Sequence, residues 1–251
     1  MTESDLALRV RENLIATYLA IGRTFPGAMV RETEAFVLLL SDLNHPSGNF
    51  AARLSLDPWS AADLRRLAAS RDSFQAVALA EDAPEHLTEL LRRAGFKVVQ
   101  RLVSMVAHPS EAKPEIGMAY CTEPEERLEA GRFIAEAFFS REPIPIRQAM
   151  AEALANAPSL AVHSHIARER IVAAVTLARD ADVLGIYNLC VAPAQRGKGL
   201  GSAIVRWCLA LAAQEGRPVC LQCTPALEPW YAHLGFTRSS AVTVWSLSKK
   251  G

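Results

Sequence analysis

The chain has 251 residues, half of them hydrophobic, and its 27 basic residues balance its 27 acidic ones. This length suits one large domain or two small ones, and the hydrophobic content is sufficient for a buried core. A net charge of zero gives no electrostatic basis for binding bulk nucleic acid. No apolar run approaches a membrane span of about 18 residues, and the N-terminal residues lack the layout of a signal peptide. We therefore expect a cytoplasmic protein with no membrane partner.

A weak internal repeat relates the two halves of the sequence. Residues 91–103 parallel residues 231–243, and both segments contain a Gly-Phe pair at the same position. Residues 50–58 likewise parallel the segment that ends at Pro193. The two offsets, 140 and 135 residues, would imply loops of unequal length. Chance is the alternative explanation, because a Gly-Phe pair after a helix is common.

The polar, proline-bounded stretch 109–115 predicts a linker, so the chain divides into residues 1–108 and 116–251. Beyond the linker, strands alternate with helices in the manner of an α/β fold. The predicted strands are 116–121, 160–166, 171–178, 183–191, 219–223 and strands within 236–247, and the predicted helices are 124–139, 146–156, 200–214 and 229–234.

The segment 191–201 joins a predicted strand to a predicted helix and carries glycines at 197, 199 and 201. Glycines leave main-chain N–H groups uncovered, while Arg196 and Lys198 add positive charge. The first N–H groups of a helix lack partners and favour anions. The segment therefore predicts a pyrophosphate site. It fits neither G-x-x-x-x-G-K-[ST] nor G-x-G-x-x-G, the two familiar phosphate-binding patterns.

The pattern R-x-x-G-x-G, formed by Arg196, Gly199 and Gly201, resembles the acetyl-CoA loop of the GNAT N-acetyltransferase superfamily. Downstream, residues 230–236 (WYAHLGF) are similar to the family's Y-x-x-x-G-F segment, and the resemblance extends over residues 117–251. It implies a mixed, mostly antiparallel sheet flanked by helices. It also implies direct transfer of an acetyl group from acetyl-CoA to an amine of a small molecule, in a ternary complex.

The resemblance further implies which residues form the site. The pyrophosphate would be bound by main-chain N–H groups, and the pantetheine arm would pair with the end of strand 183–191. Tyr231 would be the catalytic residue, as the hydrogen donor to the leaving thiolate. The implied cofactor-binding residues are Leu189, Cys190, Val191, Arg196, Gly197, Lys198, Gly199, Leu200, Gly201 and Ser202.

If the internal repeat is real, the first half is a second GNAT-like unit that has lost its chemistry. Residues 61–66 contain no glycine where the second half has 196–201, and Leu91 takes the place of Tyr231. We therefore expect one cofactor site, with the first half shaping the substrate cleft. A homodimer is possible under the same resemblance, since dimers are frequent among relatives.

The general base is not identified by the sequence. Tyr187 and Asn188 point to opposite faces of their strand, and Asp180 and Asp182 lie at a turn. Thr224 follows strand 219–223, where the family often has asparagine. A CoA-binding sensor without turnover is therefore an alternative, and an acyltransferase that uses a longer acyl group is another.

No metal is expected from two short motifs in the second half. Cys220 and Cys223 form C-x-x-C on a strand that points them to opposite faces, and no second pair exists. His163 and His165 share one strand face without further evident ligands.

Overall fold

The computed structural model describes residues 2–82, 84–109 and 114–247. Residues 110–113 of the predicted linker therefore lie outside the described residues. The helices are α1 (Glu3–Gly22), α2 (Pro58–Ala69), α3 (Pro84–Arg93), α4 (Pro124–Phe139), α5 (Ile144–Asn156), α6 (Leu200–Glu215) and α7 (Glu228–His233). The strands are β1 (Met29–Glu32), β2 (Val37–Leu40), β3 (Phe50–Ala52), β4 (Gln75–Leu79), β5 (Phe96–Ala107), β6 (Ala119–Tyr120), β7 (Leu160–Ala167), β8 (Arg170–Asp180), β9 (Val183–Val191), β10 (Val219–Cys223) and β11 (Thr237–Leu247).

The strands form one mixed sheet of eleven strands in the order β1-β2-β3-β4-β11-β5-β10-β9-β8-β7-β6. Two pairs, β3–β4 and β9–β10, are parallel, and the other neighbours are antiparallel. The α/β fold with a mostly antiparallel sheet is thus confirmed. The strand order is symmetric about the β11–β5 pair at the centre of the sheet. Counted outward from it, β11, β4, β3 and β2 correspond to β5, β10, β9 and β8. The division into two tandem units stays a prediction.

Each half of the chain inserts its last strand into the sheet of the other half. β5 pairs with β10 from Val219↔Ala107 to Cys223↔Val103, and β11 pairs with β4 as well as β5. The sheet of the C-terminal half therefore includes a strand from the N-terminal half.

Helices cover both faces of the sheet. α2, α3, α6 and α7 pack on one face, called here the α6 face. On the other, the α1 face, Leu14 and Ile15 of α1 pack with Phe50 and Val242, and α4 and α5 lie over β7 to β9. None of the described helices is long and apolar enough to cross a membrane.

The predicted elements of the second half are found, with shifted ends. The predicted strand 116–121 is reduced to β6, because it lies at the sheet edge and pairs with β7 at only two positions. The predicted helix 146–156 begins two residues earlier, at Ile144, with Pro143 as its N-cap and Pro145 in its first turn, where proline is favourable. The region 236–247 forms the single strand β11, with irregular register near Ser239 and after Val244.

Candidate functional site

An opening between β9 and β10 is the central feature of the site. The two strands pair only at Val219↔Leu184 and Cys220↔Gly185 and then diverge. A bulge in β9 accompanies the divergence, since Asn188 has a φ of 51° and the register with β8 shifts there. Within the described chain, the end of β9 therefore has no strand partner on the β10 side. Its main-chain groups can pair there with an extended ligand.

Main-chain groups at the end of β9 alternate between β8 and the opening. The N–H of Ala192 donates to the carbonyl oxygen of Val172 on β8 at 2.8 Å. By the alternation of an extended chain, the groups of Val191 and Leu189 face the opening, whereas those of Cys190 face β8. The Cys190 side chain is buried on the α1 face, and burial raises its thiol pKa to about 12.

The loop after β9 exposes N–H groups at the start of α6. Gly197 and Gly199 have φ values of 74° and 82°, in the left-handed region that glycine adopts without strain. Gly199 is the N-cap of α6 and offers no side chain to cap it. The N–H groups of Leu200, Gly201 and Ser202 therefore lack intrahelical acceptors, as the first N–H groups of a helix do. The predicted pyrophosphate residues thus lie together.

The two basic side chains of the loop brace the loop itself. Arg196 Nε donates to the Val191 carbonyl oxygen at 3.0 Å. Lys198 Nζ donates to the Ala194 carbonyl oxygen at 2.8 Å and to Gln195 Oε1 at 3.3 Å. Both side chains are exposed, so their charge remains beside the helix start. Their direct pairing with phosphate stays a prediction.

Tyr231 lies in α7 with its side chain buried in the core on the α6 face. Its ring packs edge-to-face on Trp230 and Phe236, with centroid distances of 4.6 and 5.7 Å. Burial, with smaller contributions from the thiols of Cys223 and Cys208, raises the pKa of Tyr231 to about 12. No hydrogen bond joins its hydroxyl to another described residue. The phenol is therefore a neutral donor at physiological pH.

The N-terminal half holds the β8–β9 hairpin through Asn13 of α1. Asn13 is fully buried, and its Oδ1 accepts a hydrogen bond of 2.8 Å from the Tyr187 hydroxyl. Its Nδ2 lies 2.9 Å from the Asp180 carbonyl oxygen and also donates to two further carbonyls of the β8–β9 hairpin. Gly185 permits this approach, because an added Cβ would lie 2.2 Å from Asn13 Oδ1. Sequence reasoning missed Asn13, whose only signal was a polar residue inside an amphipathic helix.

Neither residue considered beside the bulge is a general base. Burial raises the pKa of Tyr187 well above its ordinary value, so the phenol stays neutral. Asn188 Nδ2 donates to Thr176 Oγ1 at 3.5 Å. Asp180 and Asp182 lie at the β8–β9 turn, at the far end of β9 from the opening.

The side chains of the C-x-x-C motif and of His163 are packed in the protein interior. All five thiols are buried and free, and Cys220 and Cys223 belong to different core clusters. The His163 ring lies between Tyr120 and Trp207, and burial lowers its pKa to about 4. Among residues 2–82, 84–109 and 114–247, no group of three or more His, Cys, Asp or Glu residues is arranged to hold a metal ion.

Comparisons with known proteins agree with this geometry. Residues 161–238 match the family model described as acetyltransferase (GNAT) domain, which spans the opening, the loop and Tyr231. A search of curated proteins found no match.

Three solved structures illustrate the shared fold. A GCN5-related N-acetyltransferase from Kribbella flavida is 19% identical, with a TM-score of 0.69 and coverage of 95% of this chain and 96% of that one. A putative GNAT acetyltransferase from Novosphingobium aromaticivorans is 18% identical, with a TM-score of 0.59 and coverage of 88% and 92%. A tandem GNAT protein from the clavulanic acid biosynthesis pathway is 12% identical, with a TM-score of 0.60 and coverage of 90% and 86%.

The opening and the loop both lie within residues 161–238, which match a family whose members transfer an acyl group from acyl-CoA to an amine. The match to the GNAT family model covers residues 161–238, and the solved structures show that the chain shares its fold with GNAT acetyltransferases.

Proposed function

We propose that the protein transfers an acetyl group directly from acetyl-CoA to an amine of a small molecule, with both bound at once. The observation that carries the proposal is the opening between β9 and β10, which lies beside the uncapped start of α6. The pantetheine arm pairs with the main chain of Leu189 and Val191. The pyrophosphate is bound by N–H groups from Gly197 to Ser202, where the helix dipole favours an anion.

The proposed reaction begins when the neutral amine attacks the thioester carbonyl. The tetrahedral intermediate then collapses, and the C–S bond breaks to release the CoA thiolate. The nitrogen loses its proton to solvent, from which the released thiolate can be protonated. The leaving thiolate has a pKa near 8.5, whereas the Tyr231 pKa is about 12. Full proton transfer would cost roughly 5 kcal/mol at 1.36 kcal/mol per unit. Tyr231 therefore stabilises the developing thiolate as a hydrogen-bond donor.

Direct transfer is favoured over an acyl-cysteine intermediate. Cys190 of β9 and Cys223 of β10 border the opening, and both side chains are buried. Burial raises the pKa of both thiols, that of Cys190 to about 12. A nucleophilic cysteine needs an accessible thiolate of lowered pKa. The acceptor amine therefore attacks the thioester without a covalent enzyme intermediate.

We infer that the N-terminal half binds no second acetyl-CoA. Leu54 corresponds to Leu189 at the offset of 135 residues. Main-chain N–H groups of Leu79 and Leu54 donate to the buried carboxylate of Asp82, with 2.9 Å from the Leu79 nitrogen to Oδ2. Arg11 pairs with the same carboxylate at 2.8 Å. The chain's own side chain thus takes the place that pantetheine takes in the other half.

Calorimetry with acetyl-CoA, followed by thiol release across a panel of amines, tests the proposal. We expect one acetyl-CoA per chain and thiol release that depends on the amine. Binding without turnover on any amine would support a CoA sensor instead. Absence of both heat and a melting shift would refute the site itself.

A further inference from the structure

We propose that the acceptor binds between α1 and the centre of the sheet, as an amine whose substituent is apolar and uncharged. This inference rests on the proposed function, because it names the acceptor class of that reaction. Its components are an uncharged cavity, the apolar cluster that the cavity shares with Tyr187 of β9, and a row of unpaired polar groups on the same face.

The cavity has a volume of about 70 Å³ and lies on the α1 face. This is several times the roughly 15 Å³ that one water requires. Its walls come from α1, β3, β4, β5 and β11, and every lining side chain is uncharged. Tyr18, Gln75 and Gln100 are the polar members, while the rest are aliphatic or aromatic. A charged substituent would lose its hydration here without gaining a partner.

The cavity is connected to β9 by an apolar cluster and has β5 as one of its walls. Tyr187 of β9 packs against the same apolar cluster as Val77 and Leu102, which line the cavity. β10 ends opposite Val103, so residues 96–102 of β5 have no strand partner on that side within the described chain. An acceptor in the cavity can therefore extend past this part of β5 toward β9, where β10 no longer separates the two strands.

A row of buried polar side chains crosses three neighbouring strands on the same face. Gln222 of β10 and Ser240 of β11 both lie opposite Ser104 of β5. Ser104 is fully buried and Ser240 is 8% exposed. Their hydroxyls and both polar atoms of the Gln222 side chain are buried without a hydrogen-bond partner among the described residues.

These unpaired atoms indicate a guest with hydrogen-bonding capacity. Buried polar atoms in native proteins are almost always paired, by protein, water or ligand. The row begins two residue pairs beyond Leu102 and Val242, which line the cavity, and ends at Gln222 beside the diverging end of β10. An acceptor that fills the cavity with its apolar part directs its amine along this row toward the thioester.

The test compares amines and a variant that fills the cavity. Phenethylamine is the apolar probe, with putrescine and glycine as probes that carry a second charge. We expect kcat/KM for phenethylamine to exceed that for the other two by at least about tenfold. Val77→Phe should raise the KM of phenethylamine by about tenfold or more and leave acetyl-CoA affinity unchanged. Ile166→Phe, at an exposed position on β7, should alter neither quantity.

Ser104→Ala separates ligand binding from structure. If the hydroxyl only sits unpaired in the core, its removal leaves the phenethylamine KM unchanged and raises or preserves Tm. The proposal requires a higher KM for the amine at unchanged acetyl-CoA affinity. Preference for putrescine or glycine, or an unchanged KM in Val77→Phe, would overturn it.

Calorimetry of phenethylamine with the CoA-bound protein keeps the two proposals distinguishable. If acetyl-CoA binds but no amine is acetylated, the transfer reaction fails. The acceptor site then stands only if phenethylamine still binds, and if Val77→Phe abolishes that binding while Ile166→Phe retains it. No binding to the wild-type protein would refute the site.

Discussion

Asn188 and Arg53 adopt the same left-handed backbone conformation, with φ values of 51° and 52°, at positions 135 residues apart. Each residue directly follows a residue that is paired with the preceding strand: Asn188 follows Tyr187, which pairs with β8, and Arg53 follows Ala52, which pairs with β2. Such a conformation costs a non-glycine residue of order 1–3 kcal/mol. At Asn188 the distortion accompanies the opening between β9 and β10, whereas at Arg53 it is accompanied by an ion pair with Glu12, 2.8 Å from Nε to Oε2.

Acetyl-CoA binding should depend on the charge at position 199. Gly199→Asp and Gly199→Asn share the strain of a φ of 82°, and nothing lies within 4 Å of an added Cβ. A carboxylate about 5 Å from a phosphate repels it by roughly 3 kcal/mol at an effective dielectric of 20. We expect Gly199→Asp to bind acetyl-CoA about 100-fold more weakly than Gly199→Asn. Calorimetry checks this, and equal affinities would place the pyrophosphate elsewhere.

Tyr231→Phe should slow the reaction without weakening acetyl-CoA binding. The variant keeps the ring packing on Trp230 and Phe236 and loses only the hydroxyl. We expect kcat to fall by about 100-fold. Because burial raises the pKa of Tyr231 to about 12, the phenol stays protonated below that pH, and its ionisation should cause no loss of rate up to pH 10. Steady-state kinetics across pH measure both; an unchanged kcat would assign Tyr231 a packing role.

Asn13→Ala should weaken the cofactor site from the other half of the chain. It leaves the Tyr187 hydroxyl and three carbonyl oxygens of the β8–β9 hairpin without the partner that Asn13 gives them. We expect unfolding free energy to fall by about 2–3 kcal/mol and acetyl-CoA affinity to fall with it. Tyr187→Phe, which removes one of these bonds, should have a smaller effect on both. Urea unfolding and calorimetry compare the variants, and full affinity in Asn13→Ala would contradict this role.

Asp82 should make stability depend on pH in the acid range. Burial raises its pKa from 3.8 to about 6 despite hydrogen bonds from Leu79 and Leu54 and the charge of Arg11. Between these values the native state holds a proton that the unfolded state has released. This residue's contribution is therefore fully present below pH 4 and lost as pH rises through 6, by up to about 3 kcal/mol.

Asp82→Asn removes that titration. The unfolding free energy of the variant relative to wild type should increase between pH 4.5 and pH 7.5. Urea unfolding at the two pH values measures it, and a difference independent of pH would show that Asp82 does not titrate there.

The local features of this protein could be predicted from its sequence, whereas its long-range pairings could not. Gly197 and Gly199 predict the loop after β9, because few residues other than glycine adopt its left-handed backbone conformation. The periodicity of residues 200–214 likewise marks a helix. Nothing within residues 96–107, however, encodes which strands will flank them, since a strand's pattern reports its faces and not its neighbours. Asn13 was missed for a related reason, because its partners lie more than 160 residues away.

The exchange of β5 and β11 constrains the order in which the molecule can assemble. β11, the last strand described, separates β4 from β5 although it follows them by about 130 to 160 residues. During synthesis, the edges of β4 and β5 that later pair with β11 therefore remain unpaired until nearly all of the described chain has been synthesised. Contacts of such long sequence separation slow folding and leave intermediates prone to aggregate. The sheet of this protein can therefore close only once β11 has left the ribosome.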